Sequence, residues 1–127
     1  MSAQNDSLSA FLALLQDLHK EICDLEKKAL DALTCAQDEK SYRTLMAERA
    51  QRIASLAEAG AELRPDLPEK MRLKAEAELA LFSAGARQAL NLGSVFYMSA
   101  LLYPDDHKTG EADNLQKLIT RLKRDAQ

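Results

Sequence analysis

His19 and Cys23 have the spacing in this sequence that most suggests chemistry. They are four residues apart, so on a helix they would share one face and could offer a metal ion two ligands. A structural zinc site needs four ligands, and the other candidates, Cys35 and His107, are distant in sequence. We therefore interpret His19 as a hydrogen-bonded helix histidine and predict neither a metal site nor a cofactor.

Known catalytic patterns are missing from the sequence. It has no nucleophile elbow, no phosphate-binding loop and no dinucleotide-binding glycine pattern. A di-iron bundle site would need Glu-x-x-His, but Gln16 precedes His19, and Gln116 stands where an EF-hand loop would need Glu. An enzyme of the chorismate mutase kind would need cations from several helices, yet the first predicted helix contains no Arg. We predict a protein without enzymatic activity.

The composition is typical of one helical domain. The chain has 127 residues, 46% of them hydrophobic, with only four Gly and three Pro to make turns. Its net charge of −3 argues against a general nucleic-acid binder, because such proteins neutralise phosphates with Lys and Arg.

The first residues lack the basic region of a signal peptide, and Asp17 interrupts the first apolar stretch. Cys23 and Cys35 would lie about 18 Å apart on one helix, too far for a disulfide. We expect a cytoplasmic protein with reduced thiols and no membrane span.

Apolar spacing predicts four helices, at about residues 8–37, 39–63, 67–103 and 114–124. The first carries a seven-residue repeat of Leu8, Leu15, Ile22, Ala29 and Ala36. Asp38 and Asp113 are plausible helix caps, and Pro65 marks a boundary. The fold class is therefore predicted to be all-α, an antiparallel bundle of three long helices plus a short C-terminal helix in a single domain, 1–127.

Arg49 falls on the predicted apolar stripe of the second helix, between Met46 and Ile53. A polar residue there either specifies how the helices pair or shows that the stripe was placed in the wrong register. We prefer the second interpretation.

The segment from Gln88 to Tyr103 is the strongest functional candidate, because no charged residue falls between Arg87 and Asp105. Its apolar residues lie on more sides of a helix than one seam can bury. The segment is either a central helix wrapped by the others or a partner-binding surface. For the second case we predict that the partner-binding residues are Leu92, Val95, Phe96, Met98, Leu101 and Leu102. The alternative partner is a second copy of the chain, in a homodimer or larger structural bundle.

The last predicted helix is short, amphipathic and basic on one face, with Lys117, Arg121, Lys123 and Arg124. It could be a movable cover over the apolar segment or a permanently docked fourth helix. We favour the docked interpretation.

The layout of the chain resembles the FlgN-type flagellar export chaperones. The resemblance covers the long first helix, the turn at Asp38, the run from Leu45 to Leu56 and the apolar segment from Leu90 to Tyr103. It implies a small cytoplasmic helical bundle, without enzymatic activity, that serves type III secretion. Such a chaperone holds a hook-filament junction protein before export by packing one substrate helix against its C-terminal helical region. The six predicted partner-binding residues would form that surface here.

Overall fold

The protein is a bundle of five helices with no β-strand among residues 3–126, which are the residues that the computed structural model describes. The helices are α1 (Ala3–Thr34), α2 (Glu39–Ala54), α3 (Glu69–Leu92), α4 (Val95–Ala100) and α5 (Asn114–Asp125). Two short 3-10 turns, Ser55–Glu58 and Arg64–Asp66, lie between α2 and α3. The predicted all-α fold is confirmed.

An antiparallel hairpin of α1 and α2 forms one side of the bundle. Gln37 adopts a left-handed conformation (φ 52°) in the turn, and Asp38 caps α2 by accepting a hydrogen bond from the Ser41 amide at 3.0 Å. The predicted seven-residue seam of α1 is buried from Leu8 to Ala29, whereas Ala36 lies exposed beyond the end of the helix. The repeat is therefore confirmed from Leu8 to Ala29, and the last turn of α1 lies beyond the buried seam.

The second helix ends nine residues earlier than predicted, at Ala54 rather than residue 63. The buried hydroxyl of Ser83 donates to the Ile53 carbonyl at 3.2 Å and accepts from the Ala57 amide at 2.7 Å. An α-helix would join that carbonyl and that amide directly, so the inserted hydroxyl interrupts it and the chain tightens into a 3-10 turn. The Arg64 guanidinium then donates to the carbonyls of Ala59 and Leu56.

Gly60 follows the first 3-10 turn and packs against Phe11 in the N-terminal part of α1. Its φ is 65°, and a Cβ at this position would lie 2.7 Å from Phe11 Cδ1 in the core. We predict that Gly60→Ala lowers the free energy of unfolding by about 3 kcal/mol, from left-handed strain plus overpacking. Urea unfolding followed by circular dichroism measures the loss.

Gly93→Ala is the matched control for this prediction. Gly93 has almost the same φ of 63° but no neighbouring atom within 4 Å of the added methyl group. It should lose only about 1 kcal/mol, from backbone strain alone. If the two variants lost the same free energy of unfolding, Phe11 would be moving aside at no cost, and its contact with residue 60 would not contribute.

The predicted third helix, 67–103, is divided into α3 and α4 at Gly93. The Ser94 amide donates to the Ala89 carbonyl at 3.2 Å, and the Gly93 amide donates to the Leu90 carbonyl at 3.0 Å. These two hydrogen bonds are typical of an α-helix that ends at a residue in the left-handed conformation, here Gly93. The Ser94 hydroxyl then caps α4 by accepting from the Tyr97 amide. The break resets the helical phase, and Phe96 on α4 is 73% exposed.

The C-terminal helix α5 is docked on α1 and α3. Its apolar residues are fully buried in the main core: Leu115, Leu118, Ile119 and Leu122. Asp113 caps the helix as predicted, by accepting from the Gln116 amide at 2.8 Å, and Arg121 pairs with Glu78 at 2.8 Å. The helix therefore covers the part of α3 near Glu78 and leaves Leu92 and Phe96 exposed. No helix in the described part of the chain is long and apolar enough to cross a membrane.

Candidate functional site

The six predicted partner-binding residues lie in three different environments. Leu92 and Phe96 are well exposed, at 60% and 73%. Val95 and Leu101 are partly buried, while Met98 and Leu102 belong to the core. The break at Gly93 explains this division, because α4 turns one side of the apolar segment inward. In this conformation Met98 and Leu102 contribute packing rather than binding surface.

The outward face of α3 carries an uncharged stripe that the sequence analysis missed. Its members recur at helical spacing and, except for half-buried Gly85, are exposed: Ala77, Leu81, Ala84, Gly85, Gln88 and Leu92. We call this set the α3 stripe. Leu81 is 71% exposed, more than Leu92. From Ala77 to Leu92 the stripe is about 22 Å long, or four helical turns.

Two aromatic side chains of α4 extend the apolar surface. Phe96 and the adjacent Tyr97, which is 55% exposed, pack edge to face with ring centroids 5.6 Å apart. Between α3 and α4 lies an open cleft of about 480 Å³. Its walls include Gly85, Gln88 and Leu92 from the α3 stripe and Tyr97 and Leu101 from the other side. Stripe, cleft and aromatic pair thus form one continuous surface.

A buried polar network fixes α4 in place behind this surface. Arg49 is only 1% exposed and donates to the Met98 carbonyl at 2.9 Å and the Leu101 carbonyl at 3.0 Å. The same guanidinium lies 3.5 Å from Glu26 and 5.6 Å from the centroid of the Tyr103 ring. The register of the second stripe was therefore correct, and the preferred explanation for Arg49, a misplaced register, was wrong.

Tyr103 completes the network by donating its hydroxyl hydrogen to Glu26 at 2.6 Å. Burial and the bond to the Glu26 carboxylate raise the pKa of Tyr103 far above its usual value. The phenol therefore remains a donor at every physiological pH. Glu26 accepts the hydrogen bond from the phenol and forms an ion pair with the guanidinium. It therefore connects α1 to Tyr103, in the segment that follows α4.

A second polar cluster joins α1 to the start of α5. His19 Nε2 lies 2.9 Å from Asp113 Oδ2 and 3.6 Å from Cys23 Sγ, although His19 and Asp113 are 94 residues apart in sequence. Burial raises the pKa of Cys23, and the carboxylates of Asp113 and Glu26 add to that increase. Burial alone would raise the pKa of Asp113, but the hydrogen bonds from His19 and the Gln116 amide lower it. The neutral thiol and the ionised carboxylate therefore lie side by side.

Among the described residues, these three side chains form the one group that has donor atoms close enough together to hold a metal ion. Cys35, which the sequence analysis considered as a further ligand, is exposed, and both thiols are free. His107 lines the same cleft as His19, with its Nε2 2.9 Å from the Glu111 carbonyl oxygen.

No protein family, curated protein or solved structure was found to match this chain, so its function is inferred from the geometry of its own residues.

Proposed function

We propose that this protein binds an amphipathic helix of a partner protein along the α3 stripe and across the aromatic pair of α4. The observation that carries the proposal is the combination of large apolar side chains at high exposure with no charge between Ala77 and Leu92 on that face. A solvated helix face normally carries charged residues. A continuous apolar face of this length is typical of a binding surface.

The shape of the stripe favours a helix as the occupant. Small residues alternate with the large ones: Ala77 precedes Leu81, and Ala84 and Gly85 follow it. A second helix could therefore approach closely and set its ridges into the gaps. A partner helix with apolar residues at i, i+3, i+4 and i+7, continued to i+11, would span the 11 residues that separate Leu81 from Leu92. Phe96 would be the main anchor, because exposed aromatic residues dominate binding energies when they become buried.

Charge at one end of the face suggests the direction of the partner. Lys70 and Lys74 continue the same face of α3 toward its N-terminus, beyond Ala77. Acidic residues at the corresponding end of the partner helix would complement them and would fix its orientation. At the other end, Asp105 lines the cleft together with Leu92 and Tyr97, so the two ends of the face carry opposite charges.

The resemblance to FlgN-type chaperones supports a narrower version of this proposal. In that version the protein works in the cytoplasm without enzymatic activity, and the partner helix belongs to a hook-filament junction protein awaiting type III export. Shielding an apolar helix before export is a task that the α3 stripe could perform without any catalytic group.

The test begins with a photoreactive phenylalanine analogue in place of Phe96, used to capture the partner in the native cell. Purified partner is then titrated against the wild type, Leu92→Asp and Phe96→Asp. We expect each variant to bind about 30-fold more weakly or worse, because the new carboxylate would have to be desolvated at the interface. Far-UV circular dichroism should be unchanged, since both side chains are exposed.

Leu33→Asp is the matched control. Leu33 is also an exposed helical leucine, but it lies on α1, outside the surface. It should bind the captured partner as the wild type does. Cross-linking only to a second copy of this chain, with sedimentation that changes with concentration, would favour the homo-oligomeric alternative. Equal binding by all three Asp variants would refute the proposed surface.

A further inference from the structure

We propose that His19, Cys23 and Asp113 form a binding site for Zn²⁺ with three protein ligands. The donor atoms are already gathered, all within 4.8 Å of one another. In a tetrahedral site with Zn–S of about 2.3 Å and Zn–N of about 2.05 Å, the edge from S to N is about 3.6 Å. The Sγ to Nε2 separation here is 3.6 Å.

The third donor is a carboxylate oxygen of Asp113, which lies within 4.8 Å of both other donor atoms. Two ligands at about 2.05 Å in a tetrahedron are about 3.3 Å apart, and Nε2 and Oδ2 are now 2.9 Å apart. A proton lies between these two atoms in the metal-free protein. An ion would replace that proton and push the two atoms apart by a few tenths of an ångström.

The ligands are held by different parts of the fold, as a prearranged site requires. His19 and Cys23 lie one turn apart on α1, which fixes their spacing. Asp113 caps α5 with Oδ1, which accepts from the Gln116 amide, so Oδ2 is left to face His19. Orienting hydrogen bonds of this kind keep a carboxylate ligand in position.

The donor set selects the metal. A thiolate, an imidazole and one carboxylate suit Zn²⁺, whereas Mg²⁺ and Ca²⁺ prefer oxygen ligands alone. The metal also lowers the cost of ionising the Cys23 thiol, because a coordinated thiol gives up its proton.

The fourth position of the ion would open into a cleft of about 520 Å³. All three ligands line that cleft, together with Glu26, Tyr103 and His107. Water would complete the coordination, as it does in zinc sites that have three protein ligands. The ion would also link the middle of α1 to the start of α5, so its binding would stabilise the docked C-terminal helix.

Co²⁺ titration of metal-free, reduced protein tests the site, because Co²⁺ replaces Zn²⁺ and gives visible absorption. We expect one equivalent to produce the intense bands of tetrahedral Co²⁺ and a thiolate charge-transfer band, and Zn²⁺ to abolish both. Thermal unfolding should shift upward by several degrees when Zn²⁺ is present in excess.

Three variants identify the ligands. Cys23→Ser should lose the charge-transfer band, and Asp113→Asn, which can still cap α5, should bind at least about tenfold more weakly. Cys35→Ser is the control for an adventitious thiol and should bind as the wild type does. Absence of the bands from the wild type would overturn the proposal, and so would bands that survive Cys23→Ser or vanish with Cys35→Ser.

Discussion

The Arg49→Met variant is expected to lose about 3 kcal/mol of unfolding free energy. Methionine fills much of the same volume but removes every donor of the guanidinium. The carbonyls of Met98 and Leu101 and the half-buried carboxylate of Glu26 would then lose a charged partner. Breaking a buried pair from one side is costly because the remaining charge stays desolvated. Urea unfolding monitored by circular dichroism gives the value.

Arg52→Met is the matched control, since Arg52 is an exposed residue one turn later on the same helix. Its effect should stay within about 0.5 kcal/mol. Amide hydrogen exchange adds a local readout, because Arg49 holds the C-terminal end of α4. Exchange in α4 should accelerate in Arg49→Met more than in the rest of the bundle. A neutral or stabilising effect would mean that an apolar side chain can replace the buried cation, as happens for some buried ion pairs.

Arg49 also shows what apolar spacing alone could predict. The apolar stripes predicted for α1 and α2 were correct, because helices that pack side by side repeat their contacts every seven residues. The same spacing could not predict why the stripe of α2 includes an arginine. Both acceptors of its hydrogen bonds are backbone carbonyls about 50 residues away, and the position of a backbone carbonyl cannot be predicted from residue type.

The two helix ends that were predicted incorrectly have different physical causes. Ser83 ends α2 by entering its hydrogen-bond ladder from another helix, which is a tertiary effect that no local pattern reveals. Gly93 gave a signal that could have been used, since glycine before serine is a common end of one helix and cap of the next. The prediction of one continuous helix over residues 67–103 did not use this signal.

The two candidate sites were predictable to different degrees. The uncharged stretch after Arg87 indicated Leu92 and Phe96, which are both exposed, although their exposure depends on the break at Gly93. Leu81 was not predicted because it precedes the uncharged segment, although its spacing of 11 residues from Leu92 puts both on one face. Asp113 could not have been assigned to His19, since only the docking of α5 brings them together.

The position of α5 leads to the second large expected effect, that Leu118→Asp destabilises the whole domain and not α5 alone. Leu118 is fully buried in the same core cluster as Leu15 and Leu79. A carboxylate placed there would cost at least about 4 kcal/mol, from lost packing and from a buried charge without a partner. A domain of this size has only about 6–19 kcal/mol of stability. Far-UV circular dichroism and the urea midpoint measure the loss.

Thr120→Asp, two residues away on the solvent side of α5, should change stability by no more than about 0.5 kcal/mol. The decisive result is which helices unfold together in Leu118→Asp, because it distinguishes a docked helix from a movable cover. A docked α5 supplies four core side chains, so its loss should remove the helicity of α1 and α3 in the same transition. If α1 to α4 instead stayed folded and only α5 detached, α5 would be a separable cover. The apolar surface of the protein would then extend from the α3 stripe into the uncovered core.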